Sequence, residues 1–408
     1  MNEPVIVTSE EVAAARARIR GGVQETPCPY SPALSDLTGA QVFCKLDNLQ
    51  HTGSFKERGA RNSLSRLDAG ARERGVVAAS AGNHALGLAY HGRALGIPVT
   101  VVMPRFAPLM KVSTCRRFGA DVVLHGDSFA EARAEADRLA EARGLRYVNG
   151  YDDPDIIAGQ GSIALEVLEQ VADLDAIIVP VGGGGLVAGV VAALKGQTRP
   201  VRVIGVEPVN VASFHAAMAA GRPVAVAASP TLADGLAVAE VGANAFATAR
   251  DGIERLVQVD EAQIARAILR ILEIEKTVVE GAAATTLAAL TDAGIDDLQG
   301  RRVALLFCGG NIDSTVLSRI IAKGLAADGR LCRFTAHISD RPGGLAKLAG
   351  VIAGTGAAIL DVFHDRAFSG PDVTAVAVMV TVETRDEGHI TEMLAALDAA
   401  GIDCRRVL

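Results

Sequence analysis

Tryptophan is absent from the 408 residues and aromatic residues make up only 4% of them, so stacking platforms for nucleic-acid bases are not expected. Although 50% of the residues are hydrophobic, no uninterrupted apolar run reaches the ~18–20 residues that a membrane-spanning helix needs. Long blocks of one charge sign are also missing. The formal net charge is −7, from 40 Lys and Arg against 47 Asp and Glu. Spread along the chain, it argues against nucleic acid or an anionic membrane surface as a partner. Cysteine is sparse: Cys28, Cys44, Cys115, Cys308, Cys332 and Cys404 form no CxxC pair and no metal-like spacing. They read as reduced thiols in a reducing compartment. The opening MNEPVIVTSEEVAAARARIRG places acids early and lacks the apolar stretch of a secretion signal, so a cytoplasmic protein is expected.

What is present is an alternation. The length suggests two or three domains. From about residue 40 to 320, short β-branched runs alternate with Ala/Leu-rich helical stretches such as Ser128–Arg143 and Glu261–Ile274. Strands are predicted at Val76–Ala79, Val99–Met103, Val122–Leu124, Ala176–Val181, Val201–Val206 and Arg302–Phe307. Each is apolar nearly throughout, which predicts parallel sheets covered on both faces, an α/β architecture. Ligands then belong at the C-terminal ends of the strands. The pattern breaks at residues 322–331, a polar, Gly-containing stretch that reads as a linker between a domain 1–321 and a second unit 332–408. Within the first domain a smaller subdomain is expected at about 50–150. The second unit reads as strand Cys332–Ile338, helix Gly343–Gly354, strands Ala358–Phe363 and Val373–Val382, helix Asp386–Ala400 and strand Asp403–Val407. That βαββαβ order is the ferredoxin-like plan.

Three segments carry candidate chemistry. In LQHTGSFKERGA, Lys56 follows Ser54 and Phe55 and leads into a helix. Such a lysine is commonly a solvated helix-end charge, but with a lowered pKa it can form a Schiff base with an aldehyde. SAGNHALG, Ser80–Gly87, follows the strand Val76–Ala79. Its turn can be an ordinary capped loop, or it can offer free backbone amides and a helix dipole to a carboxylate. VGGGGLVAGV places Gly182, Gly183, Gly184 and Gly185 after the strand Ala176–Val181. Without Cβ atoms this backbone can fold closely around an anion such as phosphate. A phosphate cradle, a carboxylate-binding turn and a Schiff-base lysine together are what an amino-acid enzyme using pyridoxal 5'-phosphate requires.

Over nearly all of residues 20–320 the chain resembles the threonine/serine dehydratase family of fold-type II pyridoxal-phosphate enzymes. The matching stretches are LDNLQHTGSFKERGA, SAGNHALGLA, YDDPDIIAGQG, VGGGGL, GVEP, ADGLAV, VVEGAAA and FCGGNID. The resemblance implies that Lys56 carries the cofactor and serves as the base at the substrate's Cα. It implies that Asn83 bonds the cofactor's ring hydroxyl and that Gly182 to Gly185 hold its phosphate. Phe55 and Gly235 would flank the ring, and Cys308 would face the ring nitrogen, where a weakly acidic thiol leaves that nitrogen largely unprotonated. Ser80, Ala81, Gly82, Asn83 and His84 would form the substrate-carboxylate turn. Glu280 would belong to the surrounding hydrogen-bond shell, without an assignable role. The implied reaction is dehydration and deamination of L-threonine to 2-oxobutanoate and ammonia, and of L-serine to pyruvate.

Departures bear on the rivals. Relatives that racemise serine carry a second Ser where this chain has Ala81, which cannot transfer a proton. Leu86 replaces a usual Gln. Glu207 matches a cation-binding glutamate of some relatives, but a carboxylate expected six residues on is Ser213 here, so a metal ion is left as an open reading. β-Replacement and a non-catalytic amino-acid sensor are the other rivals; intact Lys56, Asn83 and Gly182–Gly185 argue against the sensor. Finally, HISDRPGGLAKL, His337–Leu348, resembles an ACT domain. Its turn, Asp340, Pro342, Gly343, Gly344 and Leu345, would bind an amino-acid effector, isoleucine or valine, between paired domains. An oligomerisation module without a ligand is the plainer alternative. A homo-oligomer, dimer or tetramer, is expected.

Overall fold

A strand with no polar face must be covered on both sides, and the chain builds two sheets that meet this demand. In the computed structural model, which describes residues 3–365 and 375–407, the larger sheet has the order Gln41–Lys45, Arg302–Leu306, Ala176–Pro180, Arg202–Pro208, Arg255–Val259, all parallel. The smaller has the order Asp121–Leu124, Val99–Met103, Val76–Ala79, Arg146–Tyr147, also parallel. Alternate residues of one strand feed opposite faces, as the pleat requires. Val76 and Ala78 join one buried cluster with Leu88 and Met103, whereas Val77 and Ala79 join another with Ala132 and Ala136.

All six predicted strands are present, with ends shifted by at most a few residues. Strands Gln41–Lys45, Arg146–Tyr147 and Arg255–Val259 carry polar residues that hide them from a search for apolar runs.

By its internal contacts the chain divides into Met1–Ile312 and Asp313–Leu408. Residues 322–331 are not a free linker. The helix Ser314–Ala327 runs through the first half of them, opened by Asp313, whose carboxylate accepts the Thr315 amide at 2.7 Å. Its Ala, Leu and Lys residues are good helix formers, and only a short turn through Gly329, φ +67°, precedes the strand Leu331–Ser339. The second unit is an antiparallel sheet ordered Ala358–Asp365, Ala375–Glu383, Leu331–Ser339, Asp403–Val407, with helices Gly344–Gly354 and Glu387–Ala399. This is the expected βαββαβ plan; Val373, the predicted start of its third strand, lies outside the described residues. Among the described residues no helix is long and apolar enough to cross a membrane.

A buried ionic cluster fixes the start of the helix Lys56–Ser65. Arg58 is fully buried. It donates to Asp47 through Nε at 2.6 Å and Nη2 at 2.8 Å, and to Glu166 through Nη1 at 2.5 Å and Nη2 at 2.8 Å. Lys45, equally buried, donates to Glu166 at 2.6 Å and to the Thr26 carbonyl. Burial by itself would raise the Asp47 pKa, but the Arg58 guanidinium overrides it and holds the carboxyl below its usual range. Removing one partner of such a cluster strands a charge in a dry site at a cost of about 3–5 kcal/mol. Arg58→Leu should therefore lose that much stability in denaturant unfolding; a loss no larger than the ~1 kcal/mol of an exposed pair would show that the cluster is not dry.

Candidate active site

Lys56 is the first residue of its helix, and the turn before it is paired to the chain leaving the strand Arg302–Leu306. The Phe55 amide donates to the Cys308 carbonyl at 2.9 Å, and Ser54 and Gly309 form an antiparallel bridge. Residues far apart in sequence, the lysine and the thiol, are thereby brought into one place. The Lys56 ammonium donates to the Gly150 carbonyl at 2.7 Å. Burial lowers its pKa from 10.5 to about 8, while the neighbouring Glu280 carboxyl pulls the other way. Burial and the Glu280 carboxyl push the Cys308 thiol well up, so it stays a neutral S–H.

Asn83 opens the helix Asn83–Leu95, and the residue before it, Gly82, has no side chain to cap the first amides. They retain the positive end of the helix dipole. Ser80 stabilises the turn by accepting the Gly82 amide at 3.2 Å. Ala81 packs against the small-sheet core, where Leu86 is also buried. The His84 side chain meets the Val148 carbonyl through Nε2 at 3.1 Å. Burial, with Lys56 nearby, lowers its pKa to about 3. A neutral ring held on a carbonyl carries its proton on Nε2. Through this bond the His84 ring supports the chain that leads to Gly150.

Glu280, left without a role by sequence, orients Asn83. The Asn83 Nδ2 donates to both Glu280 oxygens, at 2.8 and 3.0 Å, and its Oδ1 accepts from Asn311 at 2.9 Å. Burial raises the Glu280 carboxyl to about 7 against the pull of the Asn83 amide. The Glu280 amide donates to the Gly309 carbonyl at 2.9 Å, so the Asn83 and Cys308 turns share one support. Gly235 lies beside it, with the site of a Cβ 3.6 Å from Glu280 Oε1.

The glycine loop is built by close approach. Gly184 has φ +92° and caps the helix Gly185–Leu194, a conformation that excludes most side chains. A Cβ at Gly183 would lie 2.3 Å from the Tyr151 ring, and one at Gly185 2.5 Å from the Tyr151 carbonyl. Tyr151, Gly150 and Asn311 are site residues that no single-residue rule singles out, although each falls inside or beside a motif quoted above. The arrangement fits pyridoxal phosphate: a half-buried amine of lowered pKa, an oriented amide, a neutral thiol and a side-chain-free loop at a helix N-terminus.

Glu207 is buried and accepts the amides of Phe214 at 2.7 Å and His215 at 2.8 Å, which ties down the helix Ser213–Ala220. Burial raises its pKa to about 7. No group of three or more His, Cys, Asp or Glu able to hold a metal ion occurs among the described residues. In the second unit, Asp340, Pro342, Gly343 and Leu345 are exposed and Gly344 half-buried. Gly343, φ +100°, precedes the uncapped helix Gly344–Gly354, and a Cβ at Gly344 would lie 2.1 Å from the Ser339 carbonyl.

Comparison with known proteins agrees with this geometry. A family model described as pyridoxal-phosphate dependent enzyme matches residues 19–309. An L-threonine ammonia-lyase of Thermotoga maritima is 43% identical over 402 residues, 98% of this chain and 100% of the relative. The solved structure of the processed form of threonine deaminase isoform 2 from Solanum lycopersicum has a TM-score of 0.73 at 35% identity, covering 78% of this chain and 95% of that one. Maize serine racemase has the same TM-score of 0.73 at 32% identity, covering 79% of this chain and 98% of its own.

Lys56 loses its proton near pH 8, so in cofactor-free protein its labelling by an amine-selective reagent should rise with a midpoint near pH 8. In Glu280→Gln the midpoint should fall, because a negative charge that favours the ammonium is gone. Mass spectrometry of labelled peptides across pH checks this; a midpoint at the ordinary lysine value refutes the burial argument.

Proposed function

The chain belongs to the family of pyridoxal-phosphate dependent enzymes, and on that premise we propose that it converts L-threonine to 2-oxobutanoate and ammonia, with L-serine as a second substrate giving pyruvate. The observation that carries the chemistry is the half-buried Lys56 amine, 2.7 Å from the Gly150 carbonyl and tied through Phe55 to the Cys308 turn. The near full-length likeness to the Thermotoga maritima L-threonine ammonia-lyase supports the substrate.

Pyridoxal phosphate, when bound, supplies an electron sink for the charge left at Cα. Lys56 would hold its aldehyde carbon, Gly182 to Gly185 its phosphate and Asn83 its ring hydroxyl. Phe55 and Gly235 would flank the ring. The Cys308 thiol, kept neutral by burial, would face the ring nitrogen without giving it a full proton. The first amides of the helix Asn83–Leu95 would receive the substrate carboxylate. With a pKa near 8, Lys56 is largely able to shed its proton at mildly alkaline pH, and as free amine it takes the Cα proton of threonine. The Cβ hydroxyl would then leave as water, taking the proton that Lys56 removed from Cα, and the enamine left behind would add water and release ammonia to give the 2-oxo acid. Because Ala81 has no proton to deliver, return of a proton to the opposite face of Cα is not supported, which disfavours racemisation. Serine differs from threonine by one methyl, worth ~1–3 kcal/mol at most in a pocket of this kind.

The second unit, 332–408, is proposed as an ACT-type regulatory domain. Its turn with Asp340, Pro342, Gly343, Gly344 and Leu345 would receive isoleucine or valine through uncapped backbone amides. Pairing of two such units in a homodimer or homotetramer is supported by the edge strand Ala358–Asp365, where Leu360 is 54% and Phe363 66% exposed. A cytoplasmic location is supported by six free cysteines. Effector control would require different affinities in active and inactive states.

The test is release of 2-oxobutanoate and ammonia from L-threonine by the purified protein with pyridoxal phosphate. Lys56→Ala should reduce it at least ~10³-fold, the scale of losing a group that acts as a unit with the rest of the site. Isoleucine or valine should shift the velocity curve. No 2-oxo acid from threonine or serine would overturn the reading; a velocity indifferent to both effectors would overturn only the regulatory part.

A further inference from the structure

The residue after Lys56 carries a buried charge that the reaction does not use. Glu57 is fully buried. Its Oε1 accepts the Thr52 amide, and its Oε2 meets His51 Nδ1 at 3.1 Å and His91 Nε2 at 3.2 Å. Burial by itself would raise this carboxyl, yet the bonds from His91 and Thr52 hold it below the usual range. It is an ionised carboxylate kept in a dry place by its donors. His91 is buried as well, and its Nδ1 has no partner. Its proton therefore sits on Nε2, facing Glu57.

The elements these bonds join are the ones that bear the site. Glu57 lies on the helix that starts at Lys56, and His91 on the helix that starts at Asn83. Thr52 continues the circuit: its carbonyl accepts from Asn311 Nδ2 at 2.7 Å, and that same Nδ2 donates to Asn83 Oδ1 at 2.9 Å. From Glu57 to Thr52, Asn311 and Asn83, then along the helix to His91 and back to Glu57, the polar contacts close a ring. Phe55, which precedes Lys56, has no side-chain bond to the first turn of its helix. Glu57 thus supplies the negative charge that the positive end of the helix favours. His51 is the outward member, stacked on Tyr90 at 5.1 Å with a third of its side chain exposed.

We propose that Glu57 is a positioning residue: through Thr52 and His91 it sets where Lys56 and Asn83 stand relative to each other, and hence how well they hold the cofactor. The proposal rests on the pyridoxal-phosphate reading. A misplacement of the order of 1 Å can cost about 10²-fold, so the effect should be visible without any direct contact between Glu57 and the ligand.

The experiment is a titration of cofactor-free wild type, Glu57→Ala and Glu57→Gln with pyridoxal phosphate, followed by absorbance and protein fluorescence, with a melting temperature for each. Glu57→Ala should bind the cofactor at least ~10-fold more weakly and lose kcat by a similar factor, with KM for threonine little changed. Glu57→Gln should recover most of the affinity. The introduced amide oxygen still accepts from Thr52, and its NH2 can be accepted by His91 once the ring moves its proton to the free Nδ1. A merely structural role predicts lower melting temperatures with an unchanged dissociation constant in the folded fraction, and no difference between the two variants; that result overturns the proposal. If Glu57→Ala fails to fold, His91→Gln, which keeps a donor toward Glu57, and His91→Leu, which removes it, put the same question. Equal cofactor affinity in that pair also overturns the proposal. Failure of wild type itself to bind pyridoxal phosphate would instead overturn the family-based reading of the site.

Discussion

Arg58 stands two residues beyond Lys56, and its guanidinium is the joint on which the site is assembled. One face of the fork holds Asp47, in the 3-10 turn after the strand Gln41–Lys45, and the other holds Glu166, on the helix Pro154–Gln170. A planar, always-charged fork with several donors suits two carboxylates at once. Desolvating four charges is costly, and only dense hydrogen bonding makes the cluster tolerable. In return the first turn of the Lys56 helix is held on two sides, by segments from different parts of the chain. A lysine amine lowered to about 8 by burial needs such a scaffold, because a mobile helix end would simply lift the amine into water.

A second constraint is the approach of helix backbones. The helix Lys56–Ser65 meets the helix Pro154–Gln170 where Gly59 and Gly159 face each other: a Cβ on Gly159 would lie 2.6 Å from Gly59 Cα. The latter helix meets Gly185–Leu194 in the same way, a Cβ on Gly161 lying 2.5 Å from the Gly189 carbonyl. Any side chain at these points would push apart a close-packed interior. The stack thereby connects the helix of the lysine to the helix that follows the phosphate-type loop. Small residues that give the composition its apolar, almost membrane-like character are here spacing devices in a layered α/β interior.

The polar shell around Asn83 follows from the same arrangement. Glu280, Asn311 and Glu57 sit on three different elements, and each has its bonding capacity directed toward Asn83 or the turn before Lys56. In a low-dielectric interior such networks orient a ligand group more strictly than packing does, because a half-made bond is penalised. The neutral states of Cys308 and His84 come from the same burial that depresses Lys56.

By itself the sequence determined the α/β alternation and the βαββαβ plan of the second unit, and it brought Lys56, Asn83 and Gly182–Gly185 forward as candidates for the chemical centre. These are legible because apolar periodicity and glycine runs are local properties of the chain. The strand Gln41–Lys45 was not legible, since Lys45 looks solvent-bound until Glu166 arrives from another helix. The end of the helix at Ala327 was hidden because a polar, Gly-containing stretch resembles a linker whether or not it is helical. Only tertiary structure decided that the His84 ring bonds the Val148 carbonyl, that Glu280 orients Asn83, and that Glu57 joins two helices. Each depends on which polar group lies within hydrogen-bond reach of a side chain, a distance set by the packing of elements remote in sequence.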